Sequence, residues 1–276
     1  MPLDWFRVAS LAPTEAEIRG GASVTGDTWN ITLNLISSAI AASVVWGVGR
    51  VVAVRRLNRA REFFGLRDRS ECLIIIPRHA STSPTSTNRL DVAALLELSP
   101  ILGYCKAKPE VVFHDQESHG RQLTEFCVGG PRANERTEAH LRLALRGLRM
   151  SKEDVEGRTD RWRLTLHVGD KSYVSVRGER EYAALAKIVR EDGTVVFVIC
   201  GQHAATNRAT TRYLAENYRR LLNSYGPRGQ FCLVLEAAET AVLGPNLIRV
   251  LDDATEAAFA AFPESPDERT ETRPLP

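Results

Sequence analysis

Apolar residues are densest between Ile31 and Gly49, where no residue is charged. This length is close to what a helix needs to cross the hydrocarbon core of a bilayer, and apolar residues continue to Val54. Trp29 and Trp46 lie near the two ends of the stretch, and indole rings favour the membrane interface. The pattern predicts one transmembrane helix over residues 31–54.

Charge is distributed unevenly around this stretch. The residues that follow carry five arginines, at positions 50, 55, 56, 59 and 61, whereas Arg7 and Arg19 precede it. The positive-inside rule therefore predicts a single-pass protein of the cell membrane, with residues 1–30 outside and the main domain in the cytoplasm. Residues 55–65 are predicted to form a basic juxtamembrane helix that ends at Gly65.

Small residues recur on one side of the predicted membrane helix. Ala39, Ser43 and Gly47 are four residues apart, a spacing that lets two membrane helices approach closely and predicts a homodimer. The alternative is that small residues are simply frequent in such helices. The whole stretch could also be a buried core helix of a soluble protein, which Asn34 and the nearby serines would allow.

From residue 71 onward, short apolar runs alternate with stretches of helical periodicity. The runs are almost wholly apolar, as strands buried on both faces of a parallel sheet are. The predicted strands are Cys72–Ile76, Glu110–His114, Thr124–Val128, Thr194–Cys200 and Phe231–Leu235. The predicted helices are Arg89–Lys106, Asn134–Arg146, Glu179–Arg190, Ala204–Tyr225 and Asp253–Phe262.

This alternation predicts an α/β fold, a Rossmann-like three-layer domain over residues 66–262 with a mostly parallel sheet. Gly169 and Asp170 separate two strand-like runs, 162–168 and 172–176, and predict an added hairpin. The hairpin would form an antiparallel edge or a protrusion. Residues 263–276 have the composition of a disordered tail.

Composition narrows the function classes. The net charge is +2, the arginines are scattered and aromatic residues make up 7% of the chain, so nucleic acid is not an expected partner. The five cysteines form no Cys-x-x-Cys pair, which argues against a disulfide framework or a zinc ribbon. Four of them lie in apolar, strand-like runs, and we expect buried thiols in a reducing compartment.

Candidate binding residues follow the predicted strands. Ligands of open parallel sheets bind beyond the carboxyl ends of the strands, and four strands here lead into polar, basic or glycine residues. Glycine lets the backbone approach a ligand, and a following helix N-terminus offers N–H groups to an anion. The loops therefore predict a site for a nucleotide or phosphorylated metabolite. The candidate residues are Arg78, His79, His114, Gly129, Gly130, Arg132, Asn134, Gly201 and Gln202.

A structural interpretation of these loops stays open, in which the glycines are ordinary turns and Asn134 is an ordinary helix N-cap. Asp115, Glu117 and His203 could act as an acid or base in the same crevice. The histidines and acids of residues 114–119 fit no established zinc or calcium spacing, so no metal is predicted. The chain has no Walker loop, Gly-x-Gly-x-x-Gly fingerprint or Gly-x-Ser-x-Gly elbow, and its cofactor is unknown.

Two of the strand-to-helix turns are alike. Val128-Gly129-Gly130-Pro131-x-x-Asn134 has a counterpart in Val198-Ile199-Cys200-Gly201, and each precedes an Asn-x-x-Thr sequence on a helix. The pair resembles a motif of certain archaeal surface-layer-type domains. It is also similar to uncharacterised actinobacterial proteins with one membrane helix and an α/β domain. The resemblance covers residues 125–222 and implies one recurring unit but no catalytic residues. The charge bias, which places the domain inside the cell, speaks against a surface-layer role.

The leading hypothesis is a membrane-anchored cytoplasmic sensor or regulatory domain that binds a small anionic ligand at the C-terminal edge of the sheet. Its expected partners are the lipid bilayer through residues 31–54, a second copy of the chain, and a ligand that bears phosphate. The alternatives are a membrane-tethered nucleotide hydrolase or transferase and a membrane scaffold without catalysis.

Overall fold

The computed structural model describes residues 24–78, 86–116, 122–154, 162–238 and 247–261. Its first element is a 41-residue helix, α1 (Val24–Phe64), and the chain divides into two compact units between Ala53 and Val54. Large apolar side chains such as Leu35 and Val45 are exposed on the first unit. By length and composition, α1 is long and apolar enough to cross a membrane, which confirms one long apolar helix near the N-terminus.

The predicted boundary between a membrane helix and a juxtamembrane helix coincides with no break, because α1 is continuous through residues 54 and 55. Of the predicted external segment, residues 1–23 lie outside the described residues, as does the predicted tail, whereas residues 24–30 belong to α1.

The second unit contains a seven-stranded sheet. Its strands are β1 (Glu71–Ile76), β2 (Lys108–Phe113), β3 (Thr124–Val128), β7 (Arg180–Val189), β8 (Val195–Gly201), β9 (Phe231–Ala238) and β10 (Ile248–Asp253). They lie in the order β10-β9-β7-β8-β3-β1-β2. Parallel pairs join β8, β3, β1 and β2, whereas β7 is antiparallel to β8 and β9, and β10 is antiparallel to β9. All strands except β7 and β10 thus point the same way, which confirms an α/β domain with a mostly parallel sheet.

The predicted hairpin belongs to a second sheet. Strand β4 (Leu148–Asp154) pairs with β5 (Trp162–Val168), which pairs with β6 (Lys171–Val174), and both pairs are antiparallel. Gly169 turns the hairpin with φ +58°, in the left-handed region that glycine favours. The hairpin therefore extends neither edge of the main sheet. It packs on one face of it through side chains such as Leu166 and Val168.

The predicted helix Glu179–Arg190 is wrong, because these residues form β7. Its alanines, leucine and charged residues favour a helix by local propensity. Eight of the ten residues of β7 are buried, however, since the strand lies between β8 and β9 and is covered on both faces. Burial in the sheet therefore overrides propensity. Strands β4 and β10 were also not predicted, because β4 has two apolar residues and β10 is a largely exposed edge strand.

Helices cover both faces of the main sheet and define two cores. They are α2 (Arg89–Cys105), α3 (Glu135–Leu143), α4 (Ala204–Tyr225) and α5 (Thr255–Phe259), the last of which is shorter than predicted. One core joins α2, α4 and the last turn of α1, where Phe64 packs against Phe126 and Phe197 with ring centroids 6.3 and 5.4 Å away. The other core joins α3, α5 and the small sheet.

Lys187 of β7 is a buried charge in the first core. Its side chain is fully buried, its ammonium lies 4.5 Å from the centroid of the Phe63 ring, and Nζ donates to the Pro227 carbonyl at 2.6 Å. Burial lowers the pKa of Lys187 to about 8, although Glu62 acts in the opposite direction. The unfolded chain therefore binds this proton more tightly than the folded protein does.

We expect the free energy of unfolding to rise between about pH 8 and pH 10.5 through this lysine, because the folded protein loses the proton first. The Lys187→Met variant should lack this rise. The free energy of unfolding of the wild type should therefore increase by roughly 2 kcal/mol relative to that of Lys187→Met from pH 7 to pH 10. Denaturant unfolding of the full chain in detergent micelles measures it. The exposed Lys108→Met variant is the control, and a constant difference between Lys187→Met and wild type at all pH values would contradict the prediction.

Candidate functional site

A cleft of about 370 Å³ lies at the C-terminal edge of the main sheet. Three parallel strands lead into it: β1 continues to Arg78, β3 to Gly130, and β8 ends at Gly201. The small sheet supplies the facing residues. The lining residues are Pro77, Arg78, Asn88, Asp91, Gly129, Gly130, Arg132, Ala133, Met150, Lys152, Leu164, Gly201, Gln202, His203, Ala204 and Asn207. Six of the nine predicted binding residues thus line one cleft.

The glycine turns are built so that two backbones lie against each other. Gly129 has φ +111°, which a residue with a side chain rarely adopts. A Cβ atom on Gly130 would lie 3.3 Å from the carbonyl oxygen of Gly201, and one on Gly201 would lie 2.7 Å from the backbone nitrogen of Asn207. Position 201 therefore requires glycine for close packing against Asn207. At this position the cleft wall is formed by backbone atoms.

Three helices begin beside this edge, and their N-termini differ. Asn88 caps α2 by accepting from the Leu90 N–H at 2.8 Å, and Asn134 caps α3 by accepting from the Arg136 and Thr137 N–H groups. His203 occupies the cap position of α4 but makes no side-chain capping hydrogen bond. The cap position therefore leaves the first N–H groups of this 22-residue helix without a side-chain acceptor from His203, and Ala204 at the helix start lines the cleft. In the same first turn, Thr206 Oγ1 donates a hydrogen bond to the buried Glu181 at 2.7 Å.

Asn134, a predicted binding residue, does not line the cleft. Its amide is fully buried, and besides capping α3 it donates to the Val128 carbonyl at 2.9 Å and the Ile75 carbonyl at 3.3 Å. Its four hydrogen bonds hold α3 to β1 and β3. Asn207 is not its equivalent, because it is the fourth residue of α4 and its Oδ1 accepts from the Gly201 N–H at 2.8 Å. The two similar sequences thus make different contacts.

Basic side chains surround the cleft. Arg78 is held by an ion pair with Asp115 at 2.7 Å and lies 4.2 Å from the centroid of the Phe113 ring. Arg132 is exposed and has no side-chain partner among the described residues. Lys152 reaches the cleft from β4 of the small sheet. With one acid in the lining, these three cations make the cleft net positive.

The predicted catalytic residues separate in the structure. His203 lines the cleft and is half-buried, and burial lowers its pKa, so its imidazole is neutral at neutral pH. Asp115 lies outside the lining, and its hydrogen bond with Arg78 lowers its pKa, which makes it a weak base. Glu117 and the predicted binding residue His79 lie outside the described residues. His114 is described but faces Glu135, with Nδ1 3.9 Å from the carboxylate.

Gln202 contacts the small sheet. Its Nε2 donates to the Leu164 carbonyl at 2.9 Å and the Tyr173 carbonyl at 3.2 Å, and its Oε1 accepts from the Tyr182 N–H at 2.8 Å. These bonds join β5 and β6 to the edge of the main sheet. Gln202 therefore positions one wall of the cleft against the other.

Asp91 is a cleft residue that sequence reasoning missed. It lies in the first turn of α2, is 3% exposed, and accepts from Asn207 Nδ2 at 3.2 Å. Burial raises the pKa of its carboxyl, and the hydrogen bond from Asn207 acts in the opposite direction. The signal that could have found it is a lone acid near the start of a helix that is otherwise apolar there.

A second group of polar side chains lies away from the cleft. Glu125, Cys127 and His140 are buried and hold donor atoms within 4.8 Å of one another. Burial raises the pKa of Glu125, but the hydrogen bond from His140 at 2.8 Å and the charges of Arg136 and Arg190 outweigh it, so the pKa is lowered. The carboxylate charge is therefore already balanced by cations.

Burial also raises the pKa of the Cys127 thiol well above its ordinary value. A metal ion would need the thiolate and would add positive charge beside two guanidinium groups. We therefore interpret these residues as a buried ion-pair network.

No protein-family model matches the sequence, and no curated protein matches it. The resemblance to archaeal surface-layer-type domains and to actinobacterial membrane proteins stays a prediction.

The Gly201→Ala variant should lose about 2–4 kcal/mol of stability, because its Cβ would clash with Asn207 and disturb the hydrogen bond between Asn207 Oδ1 and the residue 201 N–H. Thermal and denaturant unfolding of the full chain measure the loss. The Gly103→Ala variant is the control, since its Cβ meets nothing within 4 Å and it lies in α2, where alanine is favoured. Equal stability of the two variants would contradict the packing argument.

Proposed function

We propose that this protein is a membrane-anchored sensor or regulatory protein whose cytoplasmic, Rossmann-like domain binds a small anionic ligand in the cleft. The ligand is a nucleotide or a phosphorylated metabolite. The observation that carries the proposal is the N-terminus of α4, where the cap residue His203 makes no side-chain capping hydrogen bond, beside three cationic side chains of the cleft. Free N–H groups and the helix dipole together favour an anion at such a position.

The neighbouring helix starts explain why α4 is the anion site. Asn88 and Asn134 already satisfy N–H groups of α2 and α3, so these two helices have less to offer an anion. At α4, Gly201 lines the cleft just before the helix start, and Arg78, Arg132 and Lys152 line the same cleft. The volume of about 370 Å³ lies within the range of small-molecule sites.

The end of α1 supplies a reason to call the domain a sensor. Gly65, just after α1, accepts a hydrogen bond from Thr124 Oγ1 at 2.7 Å, and its Cα lies against Val195. Thr124 and Val195 begin β3 and β8, two of the three strands that lead into the cleft. A ligand that shifts either strand would therefore act on the residues that hold the last turn of α1. The contact lies at the N-terminal ends of the two strands and the cleft at their C-terminal ends, so the strands themselves would carry the coupling.

Binding to inorganic phosphate, AMP and ATP tests the proposal on the full chain in detergent micelles. The Arg132→Gln variant should bind the preferred anion about 10- to 100-fold more weakly, since it loses a charged hydrogen bond worth roughly 1.5–3 kcal/mol. Arg142→Gln, which removes an exposed arginine of α3 outside the cleft lining, should bind like the wild type. Isothermal titration calorimetry measures both dissociation constants.

If none of these anions binds, or if both arginine variants weaken binding equally, the cleft is not the proposed anion site. Release of inorganic phosphate from ATP in the same samples would instead favour the hydrolase alternative. His203 and Asp91, whose pKa values shift in opposite directions within one cleft, would then be the groups to replace.

The membrane part of the proposal uses residues 31–54 as the span, with the N-terminus outside. In inside-out vesicles, protease should digest the domain after residue 65, whereas in right-side-out vesicles the domain should be protected. The opposite pattern would contradict the proposed orientation. Extraction of the protein from the membrane by carbonate would contradict the proposed transmembrane span. Close approach of two copies along Ala39, Ser43 and Gly47 belongs to the same proposal.

A further inference from the structure

Asp91 is the one acidic residue that lines the cleft among the described residues. It is 3% exposed, and the other charged groups of the lining are cations. Burial of a carboxyl group costs stability unless hydrogen bonds or charges compensate it. Such a group in a binding cleft therefore calls for a partner.

The described residues supply the Asp91 carboxyl group with few hydrogen-bond donors. Asn207 Nδ2 donates to Asp91 Oδ1 at 3.2 Å, and this is the hydrogen bond that the carboxyl receives from the described residues. The orientation of the Asn207 amide is fixed, because its Oδ1 accepts from the Gly201 N–H. Among the described residues no donor reaches the second carboxyl oxygen, Oδ2, which is therefore open to a group that enters the cleft.

Two of the cations in this part of the fold are paired with other acids. Arg78 is bound to Asp115 at 2.7 Å, and Arg208 of α4 is bound to Glu97 at 3.2 Å. An asparagine at position 91 would also accept the hydrogen bond from Asn207. A carboxylate in the first turn of α2 is also favoured by the helix dipole, but the dipole does not require that this carboxylate face the cleft.

The surrounding charges indicate which donor fits. A ligand ammonium group would enter beside Arg78, Arg132 and Lys152 and be repelled by them. A hydroxyl group is neutral and can donate to a carboxylate or accept from a protonated carboxyl. Asp91 binds Asn207, which lies three residues after the start of α4, on the order of 5 Å along the helix axis. A phosphate at that start and a hydroxyl at Asp91 are therefore within the reach of one small molecule.

We propose that Asp91 recognises a hydroxyl group of the ligand, so that the cleft selects phosphorylated sugars and polyols, including the ribose of a nucleotide. This inference rests on the proposed anion site, because the phosphate at α4 places the hydroxyl. Asp91 is here a binding residue that forms a hydrogen bond with the neutral part of the ligand. The cations and the N-terminus of α4 bind the anionic part.

Matched ligand pairs test the inference on the full chain in detergent micelles. Glycerol 3-phosphate is compared with propyl phosphate, and AMP with 2′,3′-dideoxy-AMP. The wild type should prefer the hydroxylated member of at least one pair by about tenfold or more. In Asp91→Asn the preference should fall below about threefold, while affinity for propyl phosphate should stay within about threefold of the wild type. Asp170→Asn, an exposed control, should keep the wild-type preference.

The outcomes separate this inference from the anion site itself. If the wild type binds both members of each pair equally well, hydroxyl recognition is refuted and the anion site stands. A preference that survives in Asp91→Asn would also refute the role of Asp91. If no member of either pair binds, both proposals fall. The comparison of ligand pairs on the wild type needs no variant, so a poorly folded Asp91→Asn protein would not prevent a decision.

Discussion

The rest of the domain depends on the complete burial of strands β3 and β8. All residues of both strands are buried, with helices on one face and α3 and the small sheet on the other. Their backbone N–H and C=O groups can therefore be satisfied only by neighbouring strands, which fixes their register. Because both strands are held along their whole length, the turns at their ends are held too. The aromatic cluster around Phe64 lies at one end and the cleft at the other.

Much of this arrangement could be predicted from apolar runs. Strands such as β1, β3, β8 and β9 are nearly continuous in apolar residues, which is the usual pattern of a strand buried on both faces. The loops that follow them were predicted to converge because parallel strands end at one edge. Gly129, Gly201 and Gln202 do line one cleft. The buried strands and the residues at their carboxyl ends can therefore be predicted from the apolar pattern and the topology alone.

The rest depends on information that a single sequence does not carry locally. β7 has the composition of a helix, and its conformation is decided by the strands on either side. Asp91 was missed because it lies on a helix that packs against the sheet, and only the tertiary structure brings it to Asn207. Asn134 and Asn207 share a sequence context, yet one caps a helix and the other lies inside one. The distance from each asparagine to its helix start decides its role, and the sequence leaves this start undefined by a residue or two.

The bonds of Gln202 have a consequence for how the cleft responds to its surroundings. At the cleft, Gln202 holds the small sheet by neutral amide hydrogen bonds, two of them donated to carbonyl groups of β5 and β6, whereas the ion pair of Lys171 with Asp252 joins β6 to β10. Neutral contacts of this kind do not titrate, and salt screens them little, whereas the attraction exerted by exposed arginines falls as ionic strength rises. The width of the opening and the strength of its field are therefore set by different groups. Salt can therefore weaken capture of an anion without changing the amide hydrogen bonds that shape this wall of the cleft.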